Sequence, residues 1–259
     1  MDRFELAQKL ILQAGAALRQ SHLESGAVWQ KTGHQDLVTR WDKETEQFLR
    51  QGLLSACPGD TIVGEEYPPA LHSTRGAVWY LDPIDGTTNF VNQHSNYAVS
   101  IGCYQNGAPL FGLVLDVERQ LLYTGRSGGG AFCNNEPIHV APHTRIPELL
   151  LYTPDVLRTF LAQHPARGGL VRLAEAVRCV RSLGSVALEL CAVAAGQADL
   201  FVTLCSSPWD HNAARIILAE AGGCICDLSG KPFSADAHST VLAANSAQVL
   251  ARALNEYIL

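Results

Sequence analysis

The segment from Trp79 to Phe90, WYLDPIDGTTNF, constrains this chain more than any other part of its sequence. An apolar run that predicts a buried strand ends there in Asp82 and Asp85, which flank a proline. Because proline stiffens the turn, the two carboxylates are predicted to converge at the end of the strand instead of dispersing into solvent. Like charges held so close repel each other unless a cation lies between them. The segment therefore predicts a strand that delivers a rigid acidic turn.

The residues after this turn have the chemistry of a phosphate cradle. Gly86 allows close backbone approach, and residues 86–88 offer N–H groups where a helix can begin. Taken alone, a D-x-x-D-G segment is more often an Asx turn or a helix cap than a ligand site. However, Glu65 follows another apolar run, and Asp210 stands just before a predicted helix. Acids at several strand and helix ends around one glycine-threonine turn favour a functional site.

Helical and strand-like patterns alternate along the chain, without an internal repeat or a low-complexity linker. Two amphipathic helices open it, over residues 4–18 and from Trp41 onward. Further helices are predicted at 185–195, 212–221 and 247–258, and strands at 62–63, 78–81, 97–104, 110–117, 121–124, 198–202, 224–228 and 241–244. The runs between 97 and 124 predict an antiparallel meander. The whole pattern predicts a layered α/β protein rather than a helix bundle or a β-sandwich.

The composition supports a large globular fold. With 259 residues, 47% of them hydrophobic and 17% charged, the chain has apolar material for one large core or two closely packed halves. We predict an N-terminal α+β half over residues 1–144, which carries most of the candidate site acids, and a C-terminal α/β half over residues 145–259, which carries Asp210 and the loop at residues 184–186. No apolar run approaches the roughly 20 residues that span a bilayer. The first ten residues also lack a secretory pattern, so we expect a cytoplasmic protein without membrane contact.

Charge and motif content disfavour several function classes. The formal net charge is -6 without a basic block, which makes nucleic acid a poor partner, whereas a small phosphorylated molecule fits if metal ions neutralise the carboxylates. The eight cysteines include no C-x-x-C pair and are predicted to be buried free thiols. No H-E-x-x-H or G-x-S-x-G motif occurs. No histidine receives a role, and His211 fits a surface position at a helix start equally well.

Three acidic motifs are spread over most of the chain: Glu65-Glu66, Asp82 to Phe90, and Trp209-Asp210 followed by Ala219 to Gly223. In this order they resemble the three motifs of the inositol monophosphatase family. A stretch with Lys31, residues 36–39 and Asp42 is similar to the family's segment after its first helix. The resemblance implies a layered α-β-α-β-α sandwich of the inositol monophosphatase and fructose-1,6-bisphosphatase type. It also implies a lithium-sensitive, homodimeric phosphoric monoester hydrolase that uses two or three Mg²⁺ ions.

The resemblance further implies a role for each matching residue. The metal ligands would be Glu65, Asp82, the backbone carbonyl of Ile84, Asp85 and Asp210. Catalysis would depend on Glu65, Thr87 and Asp42, with Thr87 positioning the attacking water and Asp42 accepting the threonine proton. The substrate would contact Asp85, Gly86, Thr87, Gly184, Ser185, Val186 and Asp210. The role of Lys31 stays open.

The substrate itself is the open question. Inositol-specific members of the family have a glutamate where this chain has Thr203, and a neutral side chain does not replace a charge-assisted acceptor. An inositol monophosphate-like ester is the first expectation. Histidinol phosphate, a nucleotide 3'-phosphate or a sugar bisphosphate are alternatives, although residues 88–90 look more like the monophosphatase branch than the nucleotidase branch. A non-catalytic binding or scaffold protein is the alternative from another class, but crowded carboxylates without a metal would be destabilising.

Overall fold

The structure, a computed structural model, describes residues 2–21, 28–33, 36–69 and 76–259. Its first elements are α1 (Arg3–Arg19), β1 (Val28–Gly33), β2 (Asp36–Thr39), α2 (Arg40–Ala56), β3 (Thr61–Gly64), β4 (Ala77–Asp85), α3 (Thr87–Gln93), β5 (Ala98–Gln105), β6 (Ala108–Asp116), β7 (Leu121–Arg126), β8 (Gly130–Cys133) and β9 (Glu136–Pro137). They are followed by a 3-10 turn (Ile146–Glu148), β10 (Leu150–Tyr152), α4 (Val156–Leu161), α5 (Arg167–Ala176), β11 (Cys179–Arg181), α6 (Val186–Ala194), β12 (Leu200–Ser206), α7 (Pro208–Glu220), β13 (Cys224–Cys226), β14 (Ser239–Ala244), α8 (Ala247–Ala253) and a π-helical turn (Leu254–Ile258).

Helices and two large sheets alternate in five layers. The α1 and α2 helices pack with Trp79 on one face of a seven-stranded sheet, ordered β3-β4-β5-β6-β7-β8-β9. The α6 and α7 helices form the middle layer, between Val114 of that sheet and Phe201 of a five-stranded sheet, ordered β11-β10-β12-β14-β13. The outer layer of α5 and α8 packs on the far face of the second sheet, at Leu242. The predicted α-β-α-β-α sandwich is thus confirmed.

Strand pairing brings two of the acidic motifs to one edge. The β3 and β4 strands are parallel, with Gly64 opposite Leu81, whereas β4 to β9 are antiparallel and include the predicted meander. Because Gly64 pairs with Leu81, the next residues, Glu65 just after β3 and Asp82 within β4, are neighbours across the two strands. Side chains alternate along a strand: Trp79 and Leu81 join the α1–α2 core, and Asp82 therefore faces the middle layer.

A row of glycines seats α7 on the seven-stranded sheet. Gly102 pairs with Gly112, which pairs with Gly125, on three neighbouring strands. A Cβ added at Gly112 would lie 2.1 Å from the carbonyl oxygen of Ala213, and one at Gly102 would lie 3.1 Å from the Ala213 nitrogen. Since nothing separates the helix backbone from the strands, the row fixes the position of Asp210 in the first turn of α7.

Several predicted boundaries are wrong. The α7 helix begins at Pro208 instead of residue 212, because proline suits the first helical position and Ser207 caps the helix in a capping box with Asp210. Asp210 therefore lies inside the helix, not before it. The β12 strand runs on to Ser206, and the last helix changes to a π-helical turn at residues 254–258.

Two further expectations can be compared with the described residues. The eight cysteines, all in those ranges, are free thiols as predicted, but only Cys103, Cys191 and Cys226 are buried; Cys205 is exposed and the other four are half-buried. No helix in the described ranges is long and apolar enough to cross a bilayer. The division into halves at residues 144 and 145 stays a prediction.

Candidate active site

The acids singled out from the sequence gather around Asp82. Asp82 lies in β4 and is 2% exposed. Burial raises its pKa well above the ordinary value, and the negative charges of neighbouring acids raise it further; these are Glu65, Asp85, Asp210 and Asp42. Asp42 lies in the first turn of α2, and Asp210 in that of α7. Strand ends and helix starts from distant parts of the chain thus concentrate negative charge at one place.

A bulge in β4 separates the two aspartates of the central motif. Pairing with β5 passes from Asp82 opposite Ser100 to Asp85 opposite Ala98, so β4 contains one extra residue. Asp82 Oδ1 accepts the N–H of Ile84 at 3.0 Å. Pro83 supplies no N–H for the ladder, which is why pairing is interrupted at this point.

Asp85 joins the first sheet to the middle layer. Its Oδ2 accepts the Ser185 hydroxyl at 2.7 Å and the Ala187 N–H at 2.6 Å, at the beginning of α6. Burial raises the pKa of Asp85 to about 6, although these bonds and one from the Val186 N–H oppose the rise. The predicted substrate-side turn, Gly184 to Val186, therefore lies directly beside the acids.

Thr87 and Asp42 are in direct contact. The Thr87 hydroxyl lies 3.1 Å from Asp42 Oδ1 and 3.1 Å from the Ile84 carbonyl oxygen, so its single proton has two competing acceptors. Asp42 Oδ2 accepts the N–H and the hydroxyl of Thr39, each at 2.7 Å. Asp42 is fully buried, and burial raises its pKa to about 6. It is not an exposed helix acid.

Gly86 is required by the geometry of the turn. It caps α3 with φ 93° and ψ 41°, a left-handed conformation that glycine adopts without strain. An added Cβ would also lie 3.0 Å from the Asn96 carbonyl oxygen and 3.3 Å from that of Gly184. The Asn89 amide donates to the carbonyls of Asn96 and Leu183, at 2.8 and 2.6 Å, and ties α3 to the substrate-side turn. Sequence reasoning gave Asn89 no structural role.

A buried glutamate on α6 supports the same turn and was also missed. Glu189 is fully buried, and its Oε1 accepts the N–H groups of Leu183 and Gly184 at 2.5 and 3.1 Å. Its Oε2 makes no hydrogen bond to the described residues. Burial raises its pKa to about 8, which keeps the carboxyl largely protonated at neutral pH. Its signal in the sequence is one acid in an otherwise apolar helix, VALELCAVA.

His211 and Thr203 both point into protein. His211 is fully buried, its Nδ1 lies 2.9 Å from the Ser206 hydroxyl, and burial lowers its pKa to about 3, so it is neutral and not the surface residue considered above. Thr203 is 3% exposed and donates its hydroxyl to the Cys205 carbonyl at 3.1 Å. Neither side chain presents a charged group to a ligand.

The donor set fits a hard divalent cation. Carboxylate and carbonyl oxygens are the ligands that Mg²⁺ prefers, and Glu65, Asp82, Asp85, Asp210 and the Ile84 carbonyl supply only oxygen. Within the described ranges no three Asp, Glu, His or Cys side chains form a finished metal cage. The side chain of Lys31 lies outside the described part of the structure.

The candidate site does not coincide with the large cavity nearby. A cavity of about 690 Å³ lies against the same face of β4 and is lined by Tyr80, Tyr104, Trp209 and Phe233, but by none of the five acids. Trp209, which lines the cavity, is the chain neighbour of Asp210. The charged and hydrogen-bonded groups converge elsewhere, so their chemistry locates the candidate site.

Comparison with known proteins agrees with this geometry. The model of the inositol monophosphatase family matches residues 2–259. The inositol-1-monophosphatase of Bacillus subtilis (strain 168) is 41% identical over 244 residues, which are 93% of this chain and 91% of that protein. Inositol monophosphatase 1 of Mus musculus is 34% identical over 257 residues, 95% of this chain and 91% of that protein.

Solved structures of inositol monophosphatases have the same fold as this chain. Staphylococcal SaIMPase-II with bound inositol monophosphate is 29% identical, with a TM-score of 0.87 over 100% of this chain and 94% of that one. SaIMPase-II with bound 2'AMP is 30% identical, with a TM-score of 0.85 over 98% of this chain and 93% of that one. Fold and relatives together define a phosphoric monoester hydrolase. The chain belongs to the inositol monophosphatase family, as its motifs predicted.

Proposed function

We propose that this enzyme hydrolyses a small phosphate monoester of the inositol monophosphate type, with Mg²⁺ as cofactor and water as the nucleophile. One observation carries the proposal: a buried aspartate, Asp82, lies within electrostatic reach of four other acids. Such a concentration of negative charge is costly in a folded protein unless cations offset it. An enzyme needs cations at this position to bring an anionic phosphate close to carboxylates.

The residues divide into cation ligands and groups that handle the water. Glu65, Asp82, Asp85, Asp210 and the Ile84 carbonyl would hold two or three Mg²⁺ ions. When bound, these ions supply charge neutralisation for the phosphate oxygens and lower the pKa of a water molecule. Thr87 orients that water through its hydroxyl, and Asp42, 3.1 Å away, accepts the threonine proton. Glu65 would also assist in activating the water.

The phosphate and its ester group would lie between α3 and α6. The N–H groups of Gly86 and Thr87, at the start of α3, can donate to phosphate oxygens. Gly184, Ser185 and Val186, held next to Asp85, would contact the ester group together with Asp210. Thr203 lies on its strand with its hydroxyl satisfied, so a sugar hydroxyl finds no charged acceptor there.

A nucleotide monophosphate is the second candidate substrate. The related SaIMPase-II has been solved with inositol monophosphate and also with 2'AMP, and the missing glutamate at Thr203 removes one contact that would favour inositol. Histidinol phosphate and sugar bisphosphates also stay candidate substrates, because Thr203 supplies no charged contact that would favour inositol over them. We further propose a cytoplasmic homodimer that contacts neither nucleic acid nor membrane. The alternative of a non-catalytic scaffold protein is disfavoured, because the family is one of phosphatases.

A phosphate-release assay over this panel tests the proposal. We expect the highest kcat/KM for an inositol monophosphate, activity that disappears with EDTA and returns with Mg²⁺, and inhibition by millimolar Li⁺. Dominant turnover of a nucleotide would replace the first substrate by the second. Full turnover in EDTA would refute the metal-dependent mechanism. Light scattering of the purified protein measures the dimer separately.

A further inference from the structure

A fully buried glutamate, Glu46 in α2, binds the backbone of the loop that carries Glu65. Its Oε2 accepts the N–H of Glu66 at 2.7 Å, and its Oε1 accepts the N–H of Tyr67 at 3.3 Å. The loop follows β3 directly, so a side chain from another element fixes its first residues. A carboxylate that accepts consecutive backbone N–H groups determines the direction in which a chain leaves a strand.

Arg50, one helical turn after Glu46, binds both the Glu46 carboxylate and the same loop. Its Nη1 lies 3.0 Å from Glu46 Oε1, and its Nη2 donates to the Pro68 carbonyl at 3.0 Å. The arginine side chain is only 12% exposed. The buried carboxylate therefore has a cationic partner, which offsets part of the penalty for burying it, although burial still raises the pKa of Glu46.

Gly64 provides the space that the carboxylate occupies. A Cβ added to Gly64, the last residue of β3, would lie 2.2 Å from Glu46 Oε1. No residue with a side chain fits there unless Glu46 moves. The glycine before Glu65 is thus matched to a glutamate 18 positions earlier in the chain.

The same helix face carries Asp42, one turn before Glu46. Residues four apart on a helix lie above one another, so Asp42, Glu46 and Arg50 form one row. Asp42 is fixed at the start of α2 by its bonds to Thr39. One rigid element therefore sets the distance between the acid that contacts Thr87 and the loop that delivers Glu65.

We propose that Glu46 is a positioning residue for Glu65. By holding the backbone of residues 66 and 67 it directs the Glu65 carboxylate toward Asp82, and it thereby sets the affinity of the cation site without touching cation or substrate. The inference rests on the proposed function in so far as Glu65 is taken as a cation ligand. Outer partners of metal ligands typically change metal affinity or activity by about 10- to 100-fold when they are altered.

Glu46→Gln tests this role with nearly unchanged volume. One of its terminal atoms is an amide nitrogen, which cannot accept a backbone N–H, so one of the two loop bonds is lost. Glu44→Gln, on the same helix with a side chain 58% exposed, is the matched control for the removed charge. Gly64→Ala disturbs the same contact from the loop side, because the new Cβ displaces the Glu46 carboxylate. The double variant Glu46→Gln/Gly64→Ala shows whether the two changes act on one contact.

Three measurements separate positioning from general stabilisation. The Mg²⁺ concentration for half-maximal thermal stabilisation should rise by about 10-fold or more in Glu46→Gln and Gly64→Ala but not in Glu44→Gln. The kcat at saturating Mg²⁺ should stay within about threefold of the parent, because no group that touches substrate is altered. Without metal, hydrogen exchange of the Glu66 and Tyr67 amides should accelerate in both variants.

A lower Tm with an unchanged Mg²⁺ half-saturation would overturn the proposal, since Glu46 would then only stabilise the fold. Unchanged exchange of the two amides would overturn it as well. A parent protein whose Tm and turnover ignore Mg²⁺ would instead refute the proposed function. The amide exchange of Glu66 and Tyr67 would in that case still decide whether Glu46 holds the loop.

Discussion

The hydroxyl of Thr87 and the Oδ1 of Asp42 lie 3.1 Å apart although 45 residues separate them in the chain. Each is fixed independently of the other: Thr87 opens α3 after the Gly86 turn, and Asp42 is fastened to Thr39 in the first turn of α2. Neither arrangement needs a ligand. The pair is therefore set before substrate arrives, which is the condition under which a hydroxyl orients a water molecule efficiently.

Removal of the Thr87 hydroxyl should abolish most turnover. Thr87→Val keeps the shape of the side chain and is expected to lower kcat by about 100-fold or more, the usual contribution of a positioned proton-transfer group. Thr87→Ser should retain much of the activity. Asp42→Asn should lose a similar factor, and the double variant should lose little more, because both residues serve one proton path. Full additivity in steady-state kinetics would contradict a shared path.

Asp82→Asn should stabilise the metal-free protein. Asp82 holds its proton more tightly in the folded than in the unfolded chain, so the stability it contributes is present at low pH and is lost as the pH rises through its raised pKa. We expect the variant to have the higher Tm in EDTA at pH 8, with a difference that shrinks toward about pH 4. With Mg²⁺ the parent should gain stability and the variant much less. Glu44→Gln is the control, and equal Tm values at pH 8 would exclude charge crowding at Asp82.

Gly112→Ala should damage both stability and activity. The new Cβ would lie 2.1 Å from the Ala213 carbonyl oxygen, so α7 must move away from the sheet, at a cost of about 1–3 kcal/mol in the free energy of unfolding. Asp210 moves with the helix, and kcat/KM should fall more than loss of folded protein explains. Gly59→Ala is the control, because a Cβ there meets nothing within 4 Å. Chemical denaturation and kinetics on the folded fraction distinguish the two effects.

Glu189→Gln should be tolerated, in contrast to the same change at Glu46. Since burial raises the pKa of Glu189 to about 8, its carboxyl is already neutral at pH 7, and the amide oxygen of glutamine can accept the Leu183 and Gly184 N–H groups. Glu189→Ala would leave both donors unpaired and should cost about 1–3 kcal/mol. Urea denaturation at pH 7 compares the two variants. A destabilised Glu189→Gln would mean that the buried carboxyl is ionised.

The strand, the acidic turn and the helix start around Asp82 were predictable because local chemistry specifies them. Pro83 interrupts pairing where it stands, and Gly86 adopts a backbone angle that other residues avoid. The start of α7 could also have been found, since a serine, a proline and an acid at residues 207, 208 and 210 have the spacing of a helix cap. The error there came from following apolar periodicity alone.

Other features depend on contacts that no local pattern contains. Glu46 is an ordinary helix acid in the sequence and Glu189 differs only by its apolar neighbours, so the fold alone shows which loops they hold. The burial of His211 follows from packing against Phe233, with ring centroids 5.0 Å apart, and not from its neighbours in the chain. The glycine row depends on the register of three strands, which the turns alone did not fix.

The bond between Asp85 and Ser185 joins residues 100 positions apart in different layers of the molecule. The same Asp85 carboxylate also accepts the Ala187 N–H, so the site is built from two layers and from distant parts of the chain. Whatever changes the spacing between the first sheet and the middle helices also alters the candidate site. A slight separation of these two layers should therefore abolish turnover before the protein as a whole unfolds.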